Sequence, residues 1–333
     1  MIPVILDTDI GIDVDDHWAV AMVLGSPELD VKLITVSTGD VEYRANLLTQ
    51  LLVEAGRTDV PIALAERTAV PDWQVPNAMP ISAGLYDWHQ YPGPTSLDGA
   101  GEIIRVIRAS SHPVTIISIC PVATLAAALD RDPAIVDNSK VVSMSVHLRE
   151  NVSMRSFNRK ARLVLEPTQS EEPSDWEPMR DANVIGDGPA YQRLLDSSWD
   201  LTIAPSNISF EAVMKGPVWN HFLESEDRVA RMIVRDYREQ VGSESNRPPE
   251  TNFFDFSTDD RSSWLWDTVA VAMAYDNRFL KTETLNLAID SNHVVRETQW
   301  GRPATVATSW LDLDGFLHAV SQRVLAASAR VRF

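Results

Sequence analysis

The sequence predicts a single-domain α/β fold in which a mostly parallel central sheet carries helices on both faces. Short apolar runs rich in Val and Ile recur without polar alternation, as is typical of strands buried on both sides. Segments of helical period lie between these runs, and a βαβα order favours a parallel sheet covered by helices. No clear linker divides the 333 residues, so we expect one domain over residues 1–333.

The apolar and helical patterns alternate along most of the chain. Strands are predicted at residues 4–6, 31–36, 114–119, 141–146 and 305–310. Helices are predicted at residues 18–24, 43–55, 122–129, 221–241, 264–275 and 313–329. Charged, Pro-rich or Gly/Ser-rich stretches predict active-site loops around residues 72–98, 149–182 and 242–262, since long loops in compact domains are usually functional.

Composition restricts the class of partner and the compartment. A formal net charge of −18 argues against a nucleic-acid partner, because phosphates would be repelled, and a small neutral molecule or a cation fits better. The chain has one cysteine, Cys120, which we interpret as a buried small side chain. An N-terminus without a basic region and no apolar run of about 18 residues predict a cytoplasmic protein that does not associate with membranes.

Five aspartates fall within residues 7–16, where the first predicted strand ends; they are Asp7, Asp9, Asp13, Asp15 and Asp16. Ligands collect at the carboxyl ends of strands in open α/β sheets. Some of these carboxylates could simply cap the next helix. However, so dense a cluster repels itself unless a cation binds, and carboxylate oxygens are the ligands that calcium and magnesium prefer. We therefore predict a divalent-metal site.

Two other interpretations of the cluster are considered. An EF-hand fails, because the position of its loop glycine holds Ile12 and its twelfth position holds Trp18 instead of Glu. A phosphatase of the haloacid dehalogenase type also begins with a strand ending in Asp-x-Asp. That alternative would use magnesium, with Asp7 as the nucleophile and Asp9 as the acid.

An ordered set of motifs resembles the inosine-uridine-preferring nucleoside hydrolase family. Residues 6–16 read LDTDIGIDVDD, a longer variant of the opening Asp-x-Asp-Pro-Gly-x-Asp-Asp. The further matches are ITVSTGD at residues 34–40, AGRTDVPI at 55–62, PVATLA at 121–126, DWEPMRDAN at 175–183 and WDTVAVA at 266–272. Each motif alone is moderately specific, whereas their order over residues 4–276 is much more so. The resemblance implies a nucleoside hydrolase-like fold.

The resemblance also implies roles for individual residues. Asp9 would be the general base that activates the attacking water. Calcium would be bound by Asp15, Asp16, Asp267 and the backbone carbonyl of Ala123, with Asp13 as an alternative to Asp15. The ribose would be held by Asp40, Asp175, Asp181 and Asn183. Family members are homodimers or homotetramers, so the same is expected here.

The chain departs from the family at several of these positions. Trp266 replaces the His that protonates the leaving base, and an indole cannot act as that acid. A purine-preferring branch has Trp here and stacks the base between aromatic rings; Trp88 would be the opposing ring, and His89 lies in the same loop. Acidic residues at 40, 175 and 181 alter the sugar pocket. We expect calcium-dependent ribonucleoside hydrolysis with purines slightly favoured, and as an alternative a weakly active riboside-binding sensor or partner protein.

Overall fold

The computed structural model describes residues 1–11, 13–66, 86–165, 180–245 and 248–328. Its strands are β1 Ile2–Thr8, β2 Leu29–Val36, β3 Ile62–Leu64, β4 Thr95–Ser96, β5 Val114–Ser118, β6 Ser139–Met144, β7 Asp200–Ala204, β8 Leu280–Ile289, β9 Val295–Glu297 and β10 Arg302–Trp310. They form one ten-stranded sheet in the order β4-β3-β2-β1-β5-β6-β7-β10-β8-β9. Pairing is parallel from β4 to β10, and β8 is antiparallel to both of its neighbours.

Helices connect the strands. They are α1 Asp15–Gly25, α2 Val41–Glu54, α3 Gly99–Ala109, α4 Ala123–Arg131, α5 Arg155–Leu165, α6 Ala182–Gly186, α7 Gly188–Asp196, α8 Ser206–Ser209, α9 Gly216–Leu223, α10 Arg228–Glu244, α11 Trp266–Met273 and α12 Leu313–Leu325. Aspartates cap several N-termini; for example, Asp98 accepts from Gly101 N in α3 and Asp312 from Gly315 N in α12. Such capping satisfies backbone donors that the first helical turn leaves free.

Hydrophobic side chains form a core on each face of the sheet, as β1 illustrates. Val4 and Leu6 belong to the core shared with α1, α11 and α12, whereas Ile5 belongs to the core shared with α3, α4 and α7. Successive strand residues point to opposite faces, so a strand covered on both sides is apolar throughout. The predicted α/β class, with helices on both faces of a mostly parallel sheet, is confirmed.

Two predicted segments differ from the structure. The single helix expected at 221–241 is divided into α9 and α10, because Asp227 accepts from Ala230 N at 2.9 Å and starts a new helix. The loop expected at 149–182 contains helix α5 within its described part, where Phe157 packs on Phe210 and Ala161 is buried. Charged residues on the outer face of α5 had concealed this apolar stripe. The extent of the domain and the three loop boundaries stay predictions.

The carboxyl ends of four central strands meet at one edge of the sheet. In the register there, Asp7 of β1 lies between Thr35 of β2 and Ser118 of β5, and Ser118 pairs with Ser143 of β6. Just beyond the strands, Thr38 and Val146 have positive φ angles of 60° and 68°. This conformation is costly for β-branched residues and is found mainly where surrounding contacts enforce it. In the described part of the chain, no helix is long and apolar enough to cross a membrane.

Candidate metal centre and active site

The acidic cluster lies in the connection from β1 to α1. Gly11 turns the chain with a φ of 117°, and a Cβ there would fall 2.6 Å from Tyr43 Cε1, so a side chain is excluded. Carboxylate oxygens of Asp13, Asp15 and Asp16 lie within 4.8 Å of one another. The Thr8 hydroxyl also donates to Asp16, which is almost fully buried. Three of the predicted metal ligands therefore converge at this turn.

Asp267 reaches the same place from the other end of the chain. It occupies the first turn of α11, which packs on α1, and only 2% of its surface is exposed. Burial raises the pKa of Asp267 well above its usual value, and the charges of Asp16, Asp13 and Asp9 raise it further. Asp16 has a raised pKa for the same reasons, burial first and then Asp9. Asp9, Asp16 and Asp267 are buried beside the half-buried Asp13, and the repulsion among these carboxylates opposes their ionisation.

This donor set fits a hard divalent cation. All of its atoms are carboxylate oxygens, the ligands that calcium and magnesium prefer, and a bound cation would offset the repulsion between buried carboxylates. Ala123, the predicted carbonyl ligand, is the first residue of α4 and follows β5 at the same edge of the sheet. Asp13, Asp15 and Asp16 could thus hold a metal ion, and Asp267 of α11 stays a predicted ligand.

Asp9 lies beside the cluster and next to the buried guanidinium of Arg44. Its exposed fraction is 5%, and burial raises the pKa of its carboxyl while the charge of Arg44 lowers it. Arg44 Nη2 is 4.0 Å from Asp9 Oδ2, and the Arg44 side chain has no exposed surface. Arg44 was not among the residues singled out from the sequence, because its position within a helical pattern did not distinguish it from a solvated arginine.

Asp7 is enclosed beneath the site. Thr35 Oγ1 and Ser37 Oγ each donate to Asp7 Oδ1 at 2.5 Å, and burial raises the pKa of Asp7 to about 6. A carboxylate with no exposed surface cannot reach a phosphate ester, which argues against the phosphatase alternative. Cys120 is also fully buried, as predicted; burial and the charges of Asp7 and Asp9 raise its pKa, so the thiol stays protonated.

The predicted sugar-binding residues lie at two helix N-termini. Asp40 caps α2 by accepting from Tyr43 N at 3.2 Å. Asp181 caps α6 by accepting from Asn183 N at 3.1 Å, and burial raises its pKa to about 6. Asn183 Nδ2 donates to the carbonyl of Met144 at the end of β6, at 2.9 Å. Asp175 lies outside the described residues.

Trp266 begins α11 next to Asp267 and is nearly buried. Within the described residues, the rings packed against it are Phe157 at 5.6 Å, Phe210 at 5.4 Å and Trp264 at 6.2 Å between centroids. The two phenylalanines were not predicted as part of this region. Phe157 lies in the segment expected to be a loop, so its helical spacing was overlooked.

Trp88 and His89 lie in a 3-10 turn, Trp88–Gln90, that packs against α2. Trp88 N donates to Asn46 Oδ1 at 2.9 Å, and the indole is almost fully buried. Its ring packs against that of His89 with 4.1 Å between centroids and a tilt of 33°, and His89 Nδ1 is 2.9 Å from Asp87 Oδ1 at the surface. In the part of the chain that is described, the ring neighbours of Trp266 do not include Trp88. The pairing of these two indoles around a base stays a prediction.

Comparison with known proteins identifies the family. The sequence model of the inosine-uridine preferring nucleoside hydrolases matches residues 4–318. The chain belongs to this family. The predicted resemblance is confirmed, and the match replaces the phosphatase alternative.

Similar proteins differ in the base that their names specify. The pyrimidine-specific ribonucleoside hydrolase RihA of Escherichia coli is 32% identical to this chain over 152 residues, which are 44% of this chain. The match spans about half of that relative's length, 47%. Among solved structures, a plant nucleoside hydrolase superposes with a TM-score of 0.75 at 18% identity, covering 97% of this chain and 98% of its own. A purine-preferring ribonucleoside hydrolase from Gardnerella vaginalis gives 0.70 at 19%, covering 98% and 100%. At these identities the structures support the fold alone.

Proposed function

We propose that this protein hydrolyses the N-glycosidic bond of ribonucleosides to free base and ribose, with calcium as its metal. The observation that carries the proposal is that buried Asp9, Asp16 and Asp267 lie near the half-buried Asp13, because a bound divalent cation would offset their mutual repulsion and keep them ionised. Family membership and the names of the relatives point to the same reaction.

The chain's own residues account for the main chemical requirements. Cleavage passes through an oxocarbenium-like state, whose positive charge the surrounding carboxylates stabilise electrostatically. Asp9 would take a proton from the attacking water; burial raises the pKa of its carboxyl, and the charge of Arg44 opposes that rise and favours the ionised form that a base requires. When bound, calcium supplies positive charge that polarises water and orients the ribose hydroxyls. Asp13, Asp15, Asp16 and Asp267 would hold it, together with the carbonyl of Ala123.

The ribose would lie between the acidic cluster and the helix caps. Asp40, Asp181 and Asn183 border the same sheet edge as Asp9, and Asp175 is proposed to complete the sugar contacts. At positions 40 and 175 this chain has Asp where the family has Asn. A carboxylate accepts stronger hydrogen bonds from the ribose hydroxyls than a neutral amide does. These carboxylates also exclude anionic substrates, so we expect nucleosides in preference to nucleotides.

The base would pack on Trp266. Since Trp266 cannot protonate a leaving base, stacking on an aromatic surface favours bases that take a proton from solvent, and purines expose a basic ring nitrogen for this. We therefore propose a slight preference for purine nucleosides, with Trp88 and His89 closing the other side of the pocket. RihA is named as pyrimidine-specific, which is the opposite of the preference proposed here.

A second candidate function is riboside binding without efficient turnover. The observation that favours it is the state of Asp181, whose almost fully buried carboxyl accepts from the backbone N–H of Asn183 at 3.1 Å as the cap of α6. A carboxylate occupied by capping has less capacity to strengthen its bonds to ribose in the transition state. Such a protein would act as a sensor or partner protein.

Chromatographic detection of base release from a panel of purine and pyrimidine ribonucleosides separates these functions. Each nucleoside is incubated with calcium and with chelator, and binding is measured in parallel by calorimetry. We expect calcium-dependent release from several ribonucleosides and none from deoxyribonucleosides. Tight binding without release across the panel would support the sensor alternative and contradict hydrolysis.

Assembly and location complete the proposal. We propose a homodimer or a homotetramer in the cytoplasm, consistent with family expectation and with a single buried cysteine that needs no oxidising compartment. Sedimentation of the purified chain, with and without calcium, measures the assembly state.

A further inference from the structure

Arg44 of α2 lies wholly inside the protein between two loops of the site. Its Nε donates to Thr38 O at 2.7 Å, and its Nη1 donates to Ile10 O at 3.1 Å. Thr38 follows β2 and has a φ of 60°, while Ile10 directly follows Asp9. One rigid guanidinium therefore fixes the spacing between the loop after β1 and a strained residue in the loop after β2.

The third nitrogen of the same group is directed at the carboxylate of Asp9. Arg44 Nη2 is 4.0 Å from Asp9 Oδ2 and has no hydrogen-bond partner among the described residues, although it is fully buried. A buried charged donor without a partner is costly, so its retention calls for an explanation. Because the two backbone bonds hold the guanidinium in place, it cannot turn toward another acceptor.

We infer that Arg44 is a positioning residue whose charge, facing Asp9 Oδ2 at 4.0 Å, orients the Asp9 carboxylate so that its other oxygen accepts a proton from water. This inference rests on the proposed hydrolysis. The guanidinium would act without touching the substrate, through the orientation of Asp9 and of the loop that carries it. A small displacement of a reacting group can reduce a rate by about 100-fold. The alternative is that Arg44 only holds the two loops together.

A double-mutant cycle separates these roles. R44M is measured alone and in a D9N background, with base release from a ribonucleoside as the assay and R323M as the control. Arg323 is likewise largely buried but pairs with Glu28, at the far end of α1 from the acidic cluster. We expect R44M to reduce kcat about 100-fold with little change in KM. In the D9N background the further loss should be less than about threefold, because residues acting as a unit are not additive.

Two further measurements distinguish a loss of catalysis from a loss of folding in R44M. R44K retains a charge but cannot make both backbone hydrogen bonds and face Asp9 at the same time, so its kcat should lie between those of the wild type and R44M. Calcium affinity of R44M, measured by calorimetry without substrate, should not be weakened, because the removed group is a cation. If R44M fails to fold by circular dichroism, R44K carries the same cycle.

The outcomes distinguish this inference from the proposed function. Equal fold losses in the wild-type and D9N backgrounds, or weakened calcium binding by R44M, would mean that Arg44 only maintains the loops. Full activity of R44M beside an active wild type would overturn the inference and leave hydrolysis intact. A wild type without turnover on any ribonucleoside would overturn both.

Discussion

The indole Nε1 of Trp18 donates a hydrogen bond of 3.1 Å to Ser263 Oγ, and both groups are buried. Trp18 lies in the first turns of α1, two residues after Asp16, and Ser263 precedes α11, which carries Asp267. The bond therefore fastens together the two helices whose acidic residues converge. The bond thus joins distant parts of the sequence beside the candidate metal site.

Replacing Ser263 with alanine is expected to weaken calcium binding, although Ser263 is not one of the proposed ligands. The substitution leaves the Trp18 N–H buried and unsatisfied, which should lower the free energy of unfolding by about 1–3 kcal/mol. Calcium affinity should fall several-fold, because α1 and α11 lose a fixed contact. Chemical denaturation and calorimetry measure the two effects, with the exposed Ser309→Ala as the control. Unchanged calcium affinity would mean that helix packing alone sets the site.

Removal of single carboxylates should identify the metal ligands. Asp267→Asn and Asp16→Asn are each expected to weaken calcium binding by about 100-fold, since ligand charge sets the affinity of such sites. Asp13→Asn and Asp15→Asn, compared at the same pH, should differ from one another, and the larger loss marks the ligand paired with Asp16. Calorimetric titration with calcium, after a chelator has stripped the protein of metal, provides the measurement. Equal, small losses for all four variants would contradict a single shared ion.

Asp9→Asn should abolish most of the turnover while calcium still binds. Loss of a general base lowers kcat by about 10²- to 10⁴-fold. Asp7→Asn should instead act mainly on stability, because Asp7 Oδ1 receives two buried hydroxyl donors. Steady-state kinetics and thermal melting of the two variants make the comparison. A larger kinetic loss in Asp7→Asn than in Asp9→Asn would contradict the assignment of the base.

Much of the fold could be predicted because the strands buried on both faces are continuous apolar runs. Val114–Ser118 is buried along its whole length, and the second half of β2, residues 33–36, is buried in the same way. By contrast, β8 was missed, because its exposed residues interrupt the apolar pattern on an antiparallel strand near the sheet edge. Helix α5 was missed because charged residues surround Phe157 and Ala161, the two apolar residues that are described as packing inward.

The candidate site could be predicted to the extent that its residues lie in motifs. The Asp13, Asp15 and Asp16 turn is local in sequence, and Asp267 lies in the motif WDTVAVA at residues 266–272. Arg44 could not be found in this way, because its importance arises from burial between two loops that meet only in the folded chain. The same holds for Phe210, which reaches Trp266 from α8's end through tertiary packing.

Truncation of Trp266 tests the proposed base pocket. Trp266→Leu should raise KM for purine nucleosides about 10- to 100-fold, since stacking of a base on an aromatic ring contributes about 1–3 kcal/mol. Trp264→Leu is the matched control, because Trp264 packs on Trp266 within the same aromatic cluster. Both variants should lose stability, but only Trp266→Leu should change KM strongly. Equal effects on KM would indicate that Trp266 belongs to the core alone.

The pH dependence of stability should report the burial of Asp181. Burial raises its pKa to about 6 in the folded protein, so the folded state holds a proton that the unfolded state releases near its ordinary value. The stabilising effect of protonation is thus complete below about pH 4 and is lost as the pH rises through 6. Asp181→Asn keeps the cap and removes the titration. In chelator, the stability of Asp181→Asn relative to wild type should increase between pH 4 and 7, by up to about 3 kcal/mol.

Urea denaturation at several pH values measures this difference. A constant difference between the two proteins from pH 4 to 7 would mean that Asp181 titrates at its ordinary pKa in the folded protein.

The central claim is that carboxylates from both ends of the chain hold one calcium ion that hydrolysis requires. Its most direct test is to strip the protein of metal with a chelator and to measure base release as calcium is added back. Asp267→Asn is measured under the same conditions. We predict that chelation abolishes release, that calcium restores it along a saturable curve, and that Asp267→Asn requires far more calcium. A rate that chelation leaves unchanged would contradict the account.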